Sequence, residues 1–216
     1  MKISTIALAL TVAFGTVNPA LAADKKNDKE KKPQTIESLI KDKTAFSGLF
    51  NLYLDEKTGK NLMVINAAQL DTPFVYFAHT VDGVTDAGHF RGSYRETKLI
   101  EFRRHFNRID IISKTPRFLF DENSAIARAS EANISEAVLA SIDIETEENG
   151  QIAFNVDKLF LSEELHKVSP WTNPDDKNAK KRFNVGKLDD KKSRIIKNRI
   201  YDNNLDVVVD YVFSNS

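Results

Sequence analysis

The stretch AVLASIDIETEENGQIAFNV, residues 137–156, restricts the fold of this chain more than any other part of it. Apolar residues recur at every second position on both sides of an Asn-Gly turn signal, and a period of two belongs to strands with one buried face. A two-residue Asn149-Gly150 turn would place Ile144 opposite Asn155 and mix the two faces. A three-residue loop, Glu148 to Gly150, pairs Ile144 with Phe154 and Ile142 with Val156, keeping apolar against apolar. The expected hairpin therefore has a type I turn with a bulge at Gly150.

The rest of the chain repeats this grammar. In SGLFNLYLDEKTGKNLMVIN a loop from Glu56 to Gly59 sets Leu52 opposite Met63 and Phe50 opposite Ile65. The run FVYFAHTV is apolar on both faces and reads as an interior strand, followed by a Gly-rich connection. KLIEFRRHFNRIDIIS offers two strands turning near His105 to Asn107, with RFLF as an extension. KSRIIKNRI is a further strand, and the last one places Leu205, Val207, Val209, Tyr211 and Phe213 along a single apolar face. Helical spacing is confined to short pieces: TIESLIKDK behind the cap Thr35, NSAIARASEAN capped by Asn123 or Ser124, and a turn in KLFLSEELHKV capped by Ser162. Many strands, two or three short helices and no βαβ alternation predict an α+β, β-rich domain whose antiparallel sheet is built from hairpins.

The N-terminus reads as an address. Lys2, the apolar ISTIALALTVAF and the small-residue site Ala20-Leu21-Ala22 form a secretory signal peptide cleaved after Ala22, too short to span a bilayer. Residues 23–34 are a charged flexible linker, since DKKNDKEKKP has nothing to bury. Residues 35–216 form one β-rich domain, with 35–70 as a short N-terminal subdomain and 71–216 as its main part. No second apolar run follows, so no membrane span is expected after cleavage, and the expected location is the periplasm or the exterior. The chain has no cysteine, which excludes disulfides, thiolate metal sites, a cysteine nucleophile and a lipoprotein anchor. Its 31 basic and 31 acidic residues balance, and the leader removes only Lys2, so no global field attracts nucleic acid or anionic lipid.

A search for chemistry finds candidates for contact rather than catalysis. None of the four histidines, His79, His89, His105 and His166, belongs to H-E-x-x-H, in which two imidazoles one helical turn apart hold zinc. His79 and His89 flank the Gly-bearing loop, where Asp82 or Asp86 would have to complete a metal site that lacks diagnostic spacing. Ser93 in RGSYR does not stand on a nucleophile elbow, and DGVTDAGHFRG is neither a dinucleotide nor a Walker loop. The basic stretch from Lys177 to Arg199, interrupted by Asp189, Asp190 and Phe183, reads as a solvated loop and strand edge rather than a nucleic-acid surface. Trp171, in SPWTNP, is an exposed aromatic with two readings, stacking on a ligand or partner and capping the rim of the core. The candidate ligand-binding residues are thus Trp171, His79 and His89, with no catalytic, metal or cofactor residue expected.

FSGLFNLYLDEKTGKNLMVI, LIEFRRHFNRIDII, ISEAVLASIDI, VDKLFL, KLDDKKSRI and NNLDVVVDYVF together resemble the N-terminal, non-catalytic region of bacterial secreted zinc-dependent metallopeptidase-like proteins. The likeness runs from about Lys43 to Phe213 and consists of strand and turn patterns. YDNNLDV departs from it, lacking the proline usual before the asparagine that begins the last strand. The resemblance implies an accessory half whose zinc-binding catalytic domain is encoded downstream or in trans, and no catalytic residue carries over to this chain. Two expectations follow: an exported accessory domain that packs on or positions a peptidase domain, and, from a different class, a stand-alone periplasmic binding module for a peptide, glycan or envelope component.

Overall fold

Alternation of buried and exposed side chains sets the architecture seen in the computed structural model, which describes residues 34–115, 136–169 and 186–214. Strands β1 (Thr44–Phe46), β2 (Asn51–Leu54), β3 (Asn61–Asn66), β4 (Pro73–His79), β5 (Tyr94–His105), β6 (Arg108–Lys114), β7 (Ala137–Glu148) and β8 (Gln151–Asn155) form one sheet. Its eight strands run in the order β1-β2-β3-β8-β7-β6-β5-β4, antiparallel throughout. After β3 the chain turns through Ala67–Gln69, touches Phe102 at Leu70, begins β4 at the far edge, and returns as a meander until β8 meets β3. The short N-terminal strands and the main part thus share a sheet.

That sheet is curled. Phe50, leading into β2, stacks edge-on against Phe74 of β4 and Phe102 of β5 with ring centroids 5.0 and 5.4 Å apart. Residues near opposite ends of the strand order can meet only if the inner face wraps toward itself. Within the curve lie Leu52, Met63, Ile65, Ile109, Ile111, Ile144, Ile152 and Phe154, all buried. Burying a side chain of this size stabilises by about 1.5–3 kcal/mol.

Short elements close the remaining sides. Helix α1 (Ile36–Ile40), capped where Ser38 N donates to Thr35 Oγ1 at 3.1 Å, lays Ile36, Leu39 and Ile40 over Leu62, Val64 and Ala153. The outer face at β3 and β8 is therefore covered as well as the inner one. Helix α2 (Asp157–Phe160) and strands β9 (Lys187–Leu188), β10 (Arg194–Tyr201), β11 (Asn204–Asp210) and β12 (Phe213–Ser214) follow. Leu159, Phe160, Ile200 and Leu205 from these pieces pack on the inner core. Buried Asn61 ties them together: its backbone N–H donates to Asp157 Oδ1 at 2.9 Å, and its Oδ1 accepts from Asn198 Nδ2 at 2.9 Å. Among the described residues no helix is long and apolar enough to cross a membrane.

Several expected features are present. Thr35 caps α1, Leu52 pairs with Met63, β5 turns into β6 at residues 106–107, and β10 is a strand. Phe50, one residue before β2, is buried with Ile65 in the same core. Four expectations need correction. FVYFAHTV does not form an interior strand: among the described residues β4 is the last strand of the sheet, and Val75 and Phe77 on its second apolar face are exposed. The turn after β7 is the two-residue Asn149-Gly150, with φ of 52° and 74°, not a three-residue loop. Both positive values suit a type I′ turn, which matches the twist of the flanking strands. Ile144 still pairs with Phe154, because the irregularity sits between Ile144 and Thr146 instead of at Gly150.

The third correction concerns KLFLSEELHKV, where the helix starts earlier, at Asp157, and Ser162 caps nothing helical. Asn155 Oδ1 accepts from Asp157 N at 3.0 Å and sets that start. Finally, the terminal strand is broken at Tyr211 and Val212 into β11 and β12, which pair with β10 and β9 respectively. The break is held by Val212 N donating to Ser193 Oγ at 3.0 Å and Tyr211 Oη donating to Phe160 O at 2.9 Å. The leader, residues 23–33 of the linker, RFLF, the helix expected at Asn123 or Ser124, the loop with Pro170 and Pro174, and Trp171 lie outside the described residues.

Candidate functional site

Strand β4 alternates with a strict period of two, turning Phe74, Tyr76 and Ala78 inward and Pro73, Val75, Phe77 and His79 outward. In register beside them on β5 stand Leu99, Thr97 and Tyr94. Val75 is 74 % exposed, Phe77 58 % and Tyr94 60 %. The Phe77 ring lies 5.8 Å from His79 and 6.0 Å from Tyr94. PFVYFAH contains no charged residue, although edge strands are commonly guarded by lysine or by inward charge. Here apolar side chains and aromatic rings coincide with the edge strand of the sheet among the described residues.

The connection from β4 to β5 enlarges this surface. Thr80 N donates to Ser93 O at 2.9 Å and Gly92 N to Thr80 O at 2.7 Å, closing the neck of the loop. Within it, His89 N donates to Val84 O at 3.2 Å, and Arg91 pairs with Asp82 at 2.8 Å. A Cβ on Gly83 would come within 2.6 Å of His89 Cβ, so the loop is closely folded there. Val81, Val84 and Phe90 are nonetheless exposed. At the Pro73 end the face is bounded by an ion network: buried Glu101 pairs with Arg103 at 3.2 Å, and Glu136 pairs with both Arg103 and Lys114.

Behind the same strand lies a polar cluster. Tyr76 Oη and His166 Nδ1 are hydrogen-bonded at 2.5 Å, and the Tyr211 ring meets the imidazole edge-on at 6.3 Å. Burial pushes the Tyr76 and Tyr211 hydroxyls upward, Tyr211 to about 12, so both stay protonated. Burial, then Arg95 and Lys98, lower His166 below its ordinary 6.5, against the opposing pull of Glu96 and Glu163.

Of the candidates read from sequence, His79 sits at the exposed end of β4 and joins the apolar face. His89 is a half-buried residue of the loop; its Nε2 is buried without a hydrogen-bond partner among the described residues, and burial followed by Arg95 lowers its pKa. Asp82, proposed to share a metal with them, is engaged by Arg91 and by the Gly83 N–H. Among the described residues no three His, Cys, Asp or Glu side chains converge as a metal site. Ser93 Oγ donates to Phe90 O at 2.7 Å and serves the loop. Two shallow hollows, of about 170 and 360 Å³, open beside β7 and β8; neither includes His79, His89 or His166. Sequence reasoning missed both the uncovered face and the Tyr76–His166 pair. The first was hidden by its likeness to an interior strand, and the second joins residues from distant segments that share no motif.

These features define, among the described residues, a curled antiparallel β domain that carries an exposed apolar sheet face. Residues 92–215, from the start of β5 onward, match the model of a domain of unknown function, DUF5117, and the chain belongs to that family. No curated protein and no solved structure matches it.

Proposed function

We propose that this chain is a non-catalytic, exported accessory domain that docks on and positions a zinc peptidase domain supplied downstream or in trans. The observation that carries the reading is the exposed outer face of Val75, Phe77, His79 and Tyr94 on β4, the edge strand among the described residues, and its neighbour β5. Apolar area of this kind loses free energy when it leaves water, at about 25 cal/mol per Å². Contiguous exposed apolar surface marks interaction sites on soluble domains. The loop behind it is closed by its own hydrogen bonds, so Val81, Val84 and Phe90 are presented with little ordering left to lose on binding. The absence of lysine or arginine along β4 favours an apolar protein surface over nucleic acid or anionic lipid. The resemblance in strand and turn pattern supports the peptidase as the partner's class.

The deciding experiment pairs the purified chain with the adjacent H-E-x-x-H domain and measures association by calorimetry. Val75→Asp with Phe77→Asp should weaken binding by at least tenfold while leaving the circular dichroism spectrum unchanged. Unaltered affinity in that variant, or chelator-sensitive and zinc-restored peptidase activity in the isolated chain, overturns the proposal. A melting temperature raised by a peptide or glycan alone transfers the assignment to a stand-alone binding module.

A further inference from the structure

The two edges of the eight-stranded sheet among the described residues are unlike. β1 is three residues long and follows directly on Lys41, Asp42 and Lys43, so brevity and charge guard it. β4 runs for seven residues, PFVYFAH, without Asp, Glu, Lys or Arg. Thr80, directly after it, donates its N–H to Ser93 O at 2.9 Å and accepts from Gly92 N at 2.7 Å, so both its backbone groups face the β5 side. The N–H and C=O of one strand residue point the same way, and successive residues alternate. Ala78, Tyr76 and Phe74 therefore turn these groups toward β5, and His79, Phe77 and Val75 turn theirs toward the edge. Pro73 falls in the edge-facing set, where its missing N–H breaks no bond to β5.

We infer that β4 is a self-association edge, through which two copies of this chain pair antiparallel about a two-fold axis at Tyr76.

The strand's own sequence sets that register. With Tyr76 on the axis, Val75 of one copy stands opposite Phe77 of the other, and the two exchange both N–H···O=C bonds. At the ends, the Pro73 carbonyl receives the His79 N–H of the other copy. A shift of two residues in either direction leaves an end residue of each strand opposite chain outside β4. The outer side chains then meet as a β-branched residue against an aromatic one, a favourable cross-strand pair. Charge complementarity favours a second copy as the occupant. A two-fold axis brings charges near it against their own mates, and like charges directly opposite are destabilising, so an uncharged edge is what self-pairing requires. Carboxylates just beyond the strand ends are already paired, Asp71 with Arg103 at 3.3 Å and Asp82 with Arg91 at 2.8 Å. The chain is formally neutral, so no long-range repulsion separates two copies. Seven paired residues per copy fall short of the roughly 20–30 a side in a standard stable interface, so the dimer is weak and forms with rising concentration. Pairing lies in the plane of the sheet and leaves Val75 and Phe77 displayed on the outer face, so it goes beyond the docking reading without resting on it.

Sedimentation velocity on the purified chain, over a hundredfold range of concentration, should show monomer passing to dimer and nothing larger, because a two-fold interface closes on itself. Val75→Pro removes an edge-facing N–H and spares the ladder to β5; self-association should weaken at least tenfold with the circular dichroism spectrum unchanged. The register is read by cross-linking, since the chain has no cysteine of its own. Across the axis, Val75 and Phe77 have Cα atoms about 5.5 Å apart, within disulfide reach, whereas Val75 and its own mate are diagonal neighbours about 7–8 Å apart. A mixture of Val75→Cys and Phe77→Cys should therefore oxidise to the mixed dimer at least tenfold faster than either variant alone. Both positions are exposed, so these variants keep the fold and decide the matter even where the proline does not. Monomer at every concentration, or equal oxidation of the single variants and their mixture, overturns the inference. No peptidase domain enters these measurements, so their outcome is independent of the docking proposal.

Discussion

Phe50 and Phe74 meet edge-on, ring centroids 5.0 Å apart, although Phe50 leads into the second strand of the sheet order and Phe74 lies on the eighth. This contact spans the curl. Phe50→Ala removes the rings' shared edge, and also that with Phe102, from a site only 7 % exposed. Truncating a buried aromatic costs about 3–5 kcal/mol, so urea unfolding at neutral pH should lose a stability in that range. A loss below about 1 kcal/mol would show that the curl does not depend on these rings.

Gly48 marks where the hairpin β10–β11 approaches the N-terminal strands. A Cβ there would lie 2.4 Å from Ile200 Cγ2 and 2.4 Å from Tyr201 O, the same carbonyl that accepts from Leu49 N at 2.8 Å. The clash is with backbone, so no rotamer change relieves it. Gly48→Ala should destabilise by about 1–3 kcal/mol through forced backbone shifts and should expose the hairpin to limited proteolysis. Gly59 offers a contrast: a Cβ meets nothing within 4 Å, and only its φ of 73° resists. Gly59→Ala should therefore cost about 1 kcal/mol without loosening β10 and β11.

Acid stability should report two carboxylates. Hydrogen bonds from Arg103 and then Lys114 hold Glu136 at about 2. For Glu163 burial pushes upward, but Lys167 and the N–H groups of Ser169 and Val168 outweigh it, again giving about 2. Both folded values lie below the unfolded 4.5. Their stabilisation is therefore complete above about pH 4.5 and is lost as pH falls toward 2. Denaturation midpoints measured across that window should fall steeply in the native chain. Glu136→Gln and Glu163→Gln should begin lower at neutral pH and decline less; a slope equal to the native one contradicts the assignment.

Local pattern made much of this fold legible. Thr35 before an apolar stripe announces α1, and the alternation around residues 56–59 allows only a register with Leu52 opposite Met63. The hairpin at Asn149 shows the limit of such reasoning. Keeping Ile144 against Phe154 was sufficient to set the pairing, but not to place the extra residue, which the chain absorbs within β7 so that Asn149 and Gly150 can take the favoured turn.

The sequence by itself determined which residues alternate, where the chain turns, and that cysteine chemistry is absent, because these depend on neighbours a few positions away. Only the tertiary structure decided that β4 is the edge strand among the described residues, with Val75 and Phe77 exposed while α1 covers the comparable face at β3. It also brought Tyr76 to His166 across ninety positions of chain. Alternation records that a side chain is apolar, not whether another element arrives to bury it; that depends on strand order and curl, which involve the whole chain.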